Sequence, residues 1–185
     1  MKKKALYFLT LLTGIVFFSC ESSPSLQQYF VEKMDDSSFL IVNLPINLDS
    51  LFTKEITPKE REAIASVGKL NLLFYKKNAN DTAQYSSEVA RVQHILSDKR
   101  YQHLMDFKAF DKAQGNFLFE GQTDRIEEGI VFVHSDALGF GVLRILGDQI
   151  NPASLLSLSK KLDADQVENQ LKNSVGVLND FIEAK

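Results

Sequence analysis

Between Tyr101 and Leu146 the chain runs through four short segments of strand-forming residues, each separated from the next by a polar or glycine-bearing turn. A period of two sends successive side chains to opposite faces, so such segments fold as strands, and connections this short join them as antiparallel hairpins. Tyr101, His103, Met105 and Phe107 alternate with Gln102, Leu104, Asp106 and Lys108, which places His103 on the apolar face of its strand. Lys112 to Asn116 holds a turn with Gly115, and Phe117, Phe119 and Gly121 then alternate with Leu118, Glu120 and Gln122. Glu128 to His134 has Ile130-Val131-Phe132-Val133 at its heart. Ser135 to Gly139 reads as a hairpin loop, and Gly141 to Leu146 returns as the last strand. The back half of the chain is an antiparallel meander.

Two more strands precede the meander. Phe39 to Leu44 is apolar apart from Asn43 and is closed by Pro45; Lys69 to Tyr75 follows after Gly68. Helical spacing fills the intervals. Leu26, Phe30 and Met34 recur every four residues, and Tyr85, Val89, Val92 and Leu96 follow steps of four, three and four. Thr57-Pro58-Lys59-Glu60 is a helix start in which Thr57 caps and Glu60 reaches back, with Ile64 and Val67 facing inward. Asn47 to Phe52 fits one short helical turn. Asn151-Pro152 begins a helix with Leu155, Leu158 and Leu162 on one side. Asp163 to Gln166 opens another, whose stripe of Val167, Leu171, Val175, Leu178 and Ile182 is either packed on the sheet or turned to a partner. The expectation is a single α+β domain over 25–185, with a mixed, mainly antiparallel sheet of about six strands and helices packed on one face.

The first 24 residues have a different character. Lys2, Lys3 and Lys4 precede a charge-free run from Ala5 to Phe18. That run is shorter than the roughly 20 apolar residues a membrane span needs, and it has the anatomy of an export signal. Cys20, the only cysteine in the chain, follows directly after Phe17, Phe18 and Ser19. The arrangement resembles the lipobox of bacterial lipoproteins, with Phe at the two positions where Leu and Ala or Ser are usual. The resemblance implies a signal peptide over 1–19, cleavage before Cys20, a diacylglyceryl thioether on its sulfur, and acylation of the new amine. Residues 20–24 would then be a lipidated tether. The helix start at Ser25 lies five residues beyond Cys20, a leash of about 18 Å at full extension.

Charge narrows the possible partners. The chain carries a formal −3, and loss of the three leader lysines makes it −6. That balance opposes binding to nucleic acid and to anionic lipid headgroups, both of which need clustered positive charge. The pairs Lys76–Lys77, Lys99–Arg100 and Lys160–Lys161 are isolated and read as solvated surface.

The order of elements is also similar to a known family. Phe39-Leu40-Ile41-Val42-Asn43-Leu44-Pro45, the Tyr-led strand at Tyr101, Ile130-Val131-Phe132-Val133, and Leu143-Arg144-Ile145-Leu146-Gly147-Asp148-Gln149-Ile150-Asn151 carry the likeness. Together with the lipobox they resemble the lipoproteins of domain-of-unknown-function family 4252, found mostly in Bacteroidota, over about residues 25 to 160. The resemblance implies an envelope location in a diderm cell, and it transfers no catalytic residue. Glu21 rather than Asp after the cysteine resembles the sorting pattern for the outer membrane, facing the periplasm.

Chemistry is sparse. His94, His103 and His134 have no His or Cys partner at metal-ligand spacing, and each reads as structural or surface. Gly139-Phe140-Gly141 lacks the third glycine of a dinucleotide loop. Glu127 and Glu128 are strand neighbours and point to opposite faces. Asp35–Asp36 reads as a solvated helix end, and Asp163 and Asp165 fit the field of a helix start. Arg144 is the one charge inside an apolar strand. It is either paired across the sheet with Glu128 or Glu120, or a contact for an anion or a partner. The sequence names no catalytic residue, metal or cofactor. It favours a membrane-anchored, non-catalytic binding module for an envelope component. A carrier or sensor of a small apolar ligand is the alternative, and a hydrolase with a dispersed site the third reading.

Overall fold

The computed structural model describes residues 24–44, 55–77, 81–109 and 113–161, together with Asp163 and Gln166. Helix α1 (Leu26–Glu32) leads through a 3-10 turn (Lys33–Asp35) into strand β1 (Phe39–Leu44). Helix α2 (Pro58–Ser66) runs directly into β2 (Val67–Lys76), and helix α3 (Thr82–Leu96) follows. The meander is β3 (Gln102–Ala109), β4 (Ala113–Gln122), β5 (Arg125–Ser135) and β6 (Gly139–Ile150), and α4 (Pro152–Ser159) closes the order. The six strands form one open sheet in the order β1-β2-β6-β5-β4-β3. Every neighbouring pair is antiparallel.

The single α+β domain with a six-stranded sheet is as the sequence predicts. The helical cover is wider than one face. Helices α1 and α3 pack with Phe39, Leu73, Tyr75, Leu118, Ile130, Phe132, Phe140 and Val142 in the main core. A second cluster joins Val67, Leu70, Phe119, Ile126 and Ile150, with Leu143, Ile145 and Leu155 against it. Leu143 and Ile145 alternate along β6 with Val142 and Arg144, so this cluster belongs to the opposite face. Leu155 of α4 lies there because β6 ends at Ile150 and the chain turns back under that side. Helix α2 packs on α4, and its end comes so close to β6 that a Cβ at Gly147 would stand 2.1 Å from the Ser66 carbonyl oxygen.

The caps at Thr57 and Asn151 form as the sequence specifies, and Ser25 adds a capping box that was not read from the sequence. Ser25 Oγ accepts from the Gln28 N–H while the Ser25 N–H donates to Gln28 Oε1, and Thr57 and Glu60 repeat the device. Asn151 accepts from Ser154 N–H at the start of α4.

Three local expectations change. Met34 is exposed rather than inward, because the chain tightens into the 3-10 turn, and three residues per turn rotate Lys33 onto the core in its place. The ammonium of Lys33 sits 4.9 Å from the Phe39 ring centroid and 2.5 Å from Glu88 Oε1. His103 does not share a face with Met105 and Phe107. The ladder shifts between His103 and Met105, so His103 faces across to Leu118 and Met105 across to Phe117. The segment expected as a turn around Gly115 is largely strand, since β4 already begins at Ala113 and pairs Gly115 with Phe107. The turn expected at Asn47–Phe52, Leu162, and the stripe from Val167 to Ile182 lie outside the described residues.

Candidate functional site

Alternation along β6 puts Arg144 on the same face as Phe140 and Val142, beneath α1. Register sets Asn71 of β2 and Ile130 of β5 directly beside it. One step along β5 on that face is Glu128, and its carboxylate meets the guanidinium as a fork. Arg144 Nε donates to Glu128 Oε1 at 2.5 Å and Nη2 to Oε2 at 3.1 Å. Nη1 donates to Gln27 Oε1 in the first turn of α1, and the Phe30 ring centroid is 5.3 Å from Cζ. Arg144 is 4 % exposed and Glu128 7 %.

Of the two readings open for Arg144, the cross-strand pair with Glu128 is the one realised. The contact with an external partner is not available in this arrangement, because α1 lies over the guanidinium. Glu120 sits directly across β4–β5 from Glu128 and is half-buried. Its pKa is raised, first by burial and then by the Glu128 charge. Asn71 Oδ1 is buried here with no hydrogen-bond partner among the described residues. Glu127 is exposed on the other side of β5, as strand geometry requires.

A second polar group sits at the β3 edge. His103 Nε2 is 2.8 Å from Asp106 Oδ1, and Asn116 Nδ2 also donates to that oxygen. These bonds, His103 first, hold the Asp106 carboxyl below its ordinary range. The pair is exposed at the sheet margin. His134 stacks on Phe132 at 5.4 Å, and His94 is exposed in the last turn of α3. Asp36 accepts from the Ser38 N–H in the turn that leads to β1. Asp163 caps, accepting from the Gln166 N–H. Cys20 and Asp165 lie outside the described residues. Among the described residues no group of three or more His, Cys, Asp and Glu is placed to hold a metal ion. Among them, too, no helix is long and apolar enough to cross a membrane.

Sequence reasoning did not find the tie between α1 and α3. Glu88 accepts from Tyr29 Oη at 2.8 Å and from Lys33 Nζ, and Arg91 makes a two-pronged pair with Glu32. Burial, then the bond to Glu88, raises the Tyr29 pKa far above its ordinary value. The signal that could have located this tie is Lys33 itself, one step from the apolar phase of α1.

The family model of DUF4252, a domain of unknown function, matches residues 29–158. The chain belongs to this family. The match begins inside α1 and ends inside α4, so it takes in all six strands. No curated protein and no solved structure matches the chain. The Arg144–Glu128 pair lies within the DUF4252 region, while Cys20 and the segment after Asp163 lie outside it.

Proposed function

We propose that this DUF4252 protein is a lipid-anchored, non-catalytic binding module of the cell envelope, held by acyl chains on Cys20 at the periplasmic side of the outer membrane. The observation that carries the reading is the short distance from the cysteine to fixed structure. Ser25 caps α1, and the Leu26 N–H donates to Tyr101 Oη at 3.3 Å, so ordered chain begins five residues after Cys20. An 18 Å leash of that kind, by the same extended-chain limit, holds the domain against whatever surface takes the lipid. Two or more acyl chains give stable attachment, at roughly 0.8 kcal/mol per buried methylene.

The binding role is supported by what the surface offers. Val31, Met34 and Leu138 are large apolar residues at 55, 64 and 63 % exposure. Val31 and Met34 lie toward the end of α1 remote from Ser25. Leu138 lies in the β5–β6 turn, at the sheet end where Phe39, Tyr75 and Phe140 align. They lie away from the tether, which supports contact with a partner on the side facing away from the membrane. The alternative of an apolar ligand held between sheet and helices is less well supported. The space beneath α1 and α3 is occupied by Tyr29, Phe39, Tyr75, Phe132 and Phe140, whose neighbouring rings lie 5.0 to 6.2 Å apart.

The test is metabolic labelling with a clickable fatty acid in the native cell, wild type beside Cys20→Ala, followed by crosslinking in intact cells. Label on wild type alone, with a recurring crosslinked protein lost in Met34→Asp and Leu138→Asp variants, is the expected result. An unlabelled wild type removes the anchor. Turnover by the lipid-free domain in a broad hydrolase screen removes the non-catalytic role.

A further inference from the structure

Strand β3 ends the sheet, and among the described residues no strand pairs with its outer edge. Such an edge presents a row of backbone donors and acceptors, which charged side chains commonly guard against pairing with another chain. On β3 the charges are Asp106 and Lys108, both exposed. Asp106 faces Asn116 and Lys108 faces Gln114 across the ladder, so the two share one face of the sheet, while Phe107 faces Gly115 on the other. Asp106 takes both His103 and Asn116 on Oδ1, and its Oδ2 has no hydrogen-bond partner among the described residues. The Phe107 ring lies over Gly115, where a Cβ would stand 2.4 Å from its Cζ. The ring is thus folded inward over β4, which leaves the backbone edge clear. The opposite edge strand, β1, carries no charge to specify a register.

The charges on β3 do not guard it against a second copy of itself. Two identical antiparallel strands pair about a two-fold axis normal to the sheet, and the residue on the axis faces its own counterpart. With Phe107 on the axis, Asp106 of each copy faces Lys108 of the other. Opposite charges directly across a strand pair stabilise it, and like charges oppose it. An axis at Asp106 or at Lys108 sets that charge against itself. An axis at Met105 draws Leu104 into the ladder, where the register of β3 on β4 already shifts. The Phe107 register is therefore favoured, and it confines the pairing to residues 105–109, clear of that irregularity.

We propose that the outer edge of β3 is a contact between two copies of this chain, paired antiparallel about Phe107, with an Asp106–Lys108 ion pair on either side of the axis. The two six-stranded sheets then run on as one. So short a ladder buries less than the roughly 1,200–2,000 Å² of a stable interface, so the dimer is a weak and reversible one. The inference stands on the edge strand and not on the lipid anchor.

Sedimentation of the full chain, with Cys20→Ser to remove the native thiol, should show a monomer–dimer equilibrium. Asp106→Lys and Lys108→Asp should each raise the dissociation constant about tenfold or more, because each sets like charges across the axis. Mixed in equal amounts, the two variants should form a heterodimer about as tight as wild type, since every facing pair is then opposite in charge. The chain with both changes should dimerise as wild type does, a rescue that loss of folding cannot mimic. Phe107→Cys leaves both charges in place. Facing Cα atoms in an antiparallel pair stand about 4.5–5.5 Å apart, within disulfide reach, so this variant should oxidise to a linked dimer. Gln84→Cys, exposed on α3, should not. A chain that stays monomeric into the high micromolar range, a dimer indifferent to both charge reversals, a mixture that forms no heterodimer, or equal disulfide yields at Phe107→Cys and Gln84→Cys overturns the proposal. None of these outcomes bears on whether Cys20 is acylated.

Discussion

Arg144 and Glu128 stand on adjacent antiparallel strands and form a two-pronged ion pair beneath α1, with both side chains at least nine-tenths buried. Charges removed from water carry a large desolvation cost, which only a well-placed partner offsets. The pair is therefore expected to add little net stability over a well-packed apolar pair in the same place.

Removing one partner should show this directly. Glu128→Gln leaves the guanidinium buried and uncompensated, and should cost about 3–5 kcal/mol in urea unfolding. The double variant Glu128→Leu with Arg144→Met should recover most of that loss, because an apolar pair carries no desolvation penalty. If the double variant unfolds as easily as the single one, the cost lies in packing and not in an orphaned charge.

Glu60 ties α2 to α4. It accepts from Lys161 Nζ at 2.6 Å, Ser157 Oγ at 2.6 Å and the Thr57 N–H at 2.8 Å. These bonds, Lys161 first, lower its pKa from 4.5 to about 2. A depressed carboxylate stabilises the fold above its unfolded pKa, and the contribution fades as pH falls through the folded one. Glu60→Gln should therefore melt lower than wild type at pH 7, and the two curves should converge between about pH 4.5 and 2. A constant gap across that window would mean the charge is not what holds the helices together.

Glu120 has the opposite sign. Burial and the Glu128 charge raise its pKa, so the folded state binds its proton more tightly than the unfolded chain does. Its ionised form opposes folding above the raised value, and this penalty is relieved as pH falls toward the unfolded pKa. Glu120→Gln should raise the melting temperature at pH 7 and give little gain at pH 3. Thermal scans at the two pH values decide it, and a variant that melts lower at pH 7 would reverse the assignment.

The strands were legible because alternation is a local signal. β4, β5 and β6 extend the expected segments by a few residues at their ends without changing their number. Caps were legible for the same reason, since Thr57 and Glu60 lie three residues apart. What could not be read depends on local geometry or on distance. The 3-10 turn that exchanges Met34 for Lys33 shifts a helical phase within one turn, and the irregularity that separates His103 from Met105 shifts a strand phase. The bond from Lys161 to Glu60 joins residues 101 apart. Arg144 was legible only as a choice, because Glu128, Glu120 and solvent are equivalent until register is known.

Gly139 opens β6 where the hairpin from β5 turns back. Its φ is +120°, and a Cβ there would stand 2.0 Å from the Tyr75 carbonyl oxygen. Two costs combine on substitution. An L-residue is strained at that φ by about 1–3 kcal/mol, and the β2 backbone must also retreat. It cannot do so easily, because Tyr75 is fully buried, stacks on Phe140 at 5.3 Å, and donates from its hydroxyl to Asp81 at 2.6 Å. Gly139→Ala should therefore destabilise the domain by about 3 kcal/mol or more in urea unfolding. Gly141→Ala, two residues on, meets nothing nearer than 3.8 Å among the described residues and should change stability by less than about 0.5 kcal/mol. Equal losses at the two glycines would show that β6 depends on glycine generally, and not on the close approach of Tyr75 to Gly139.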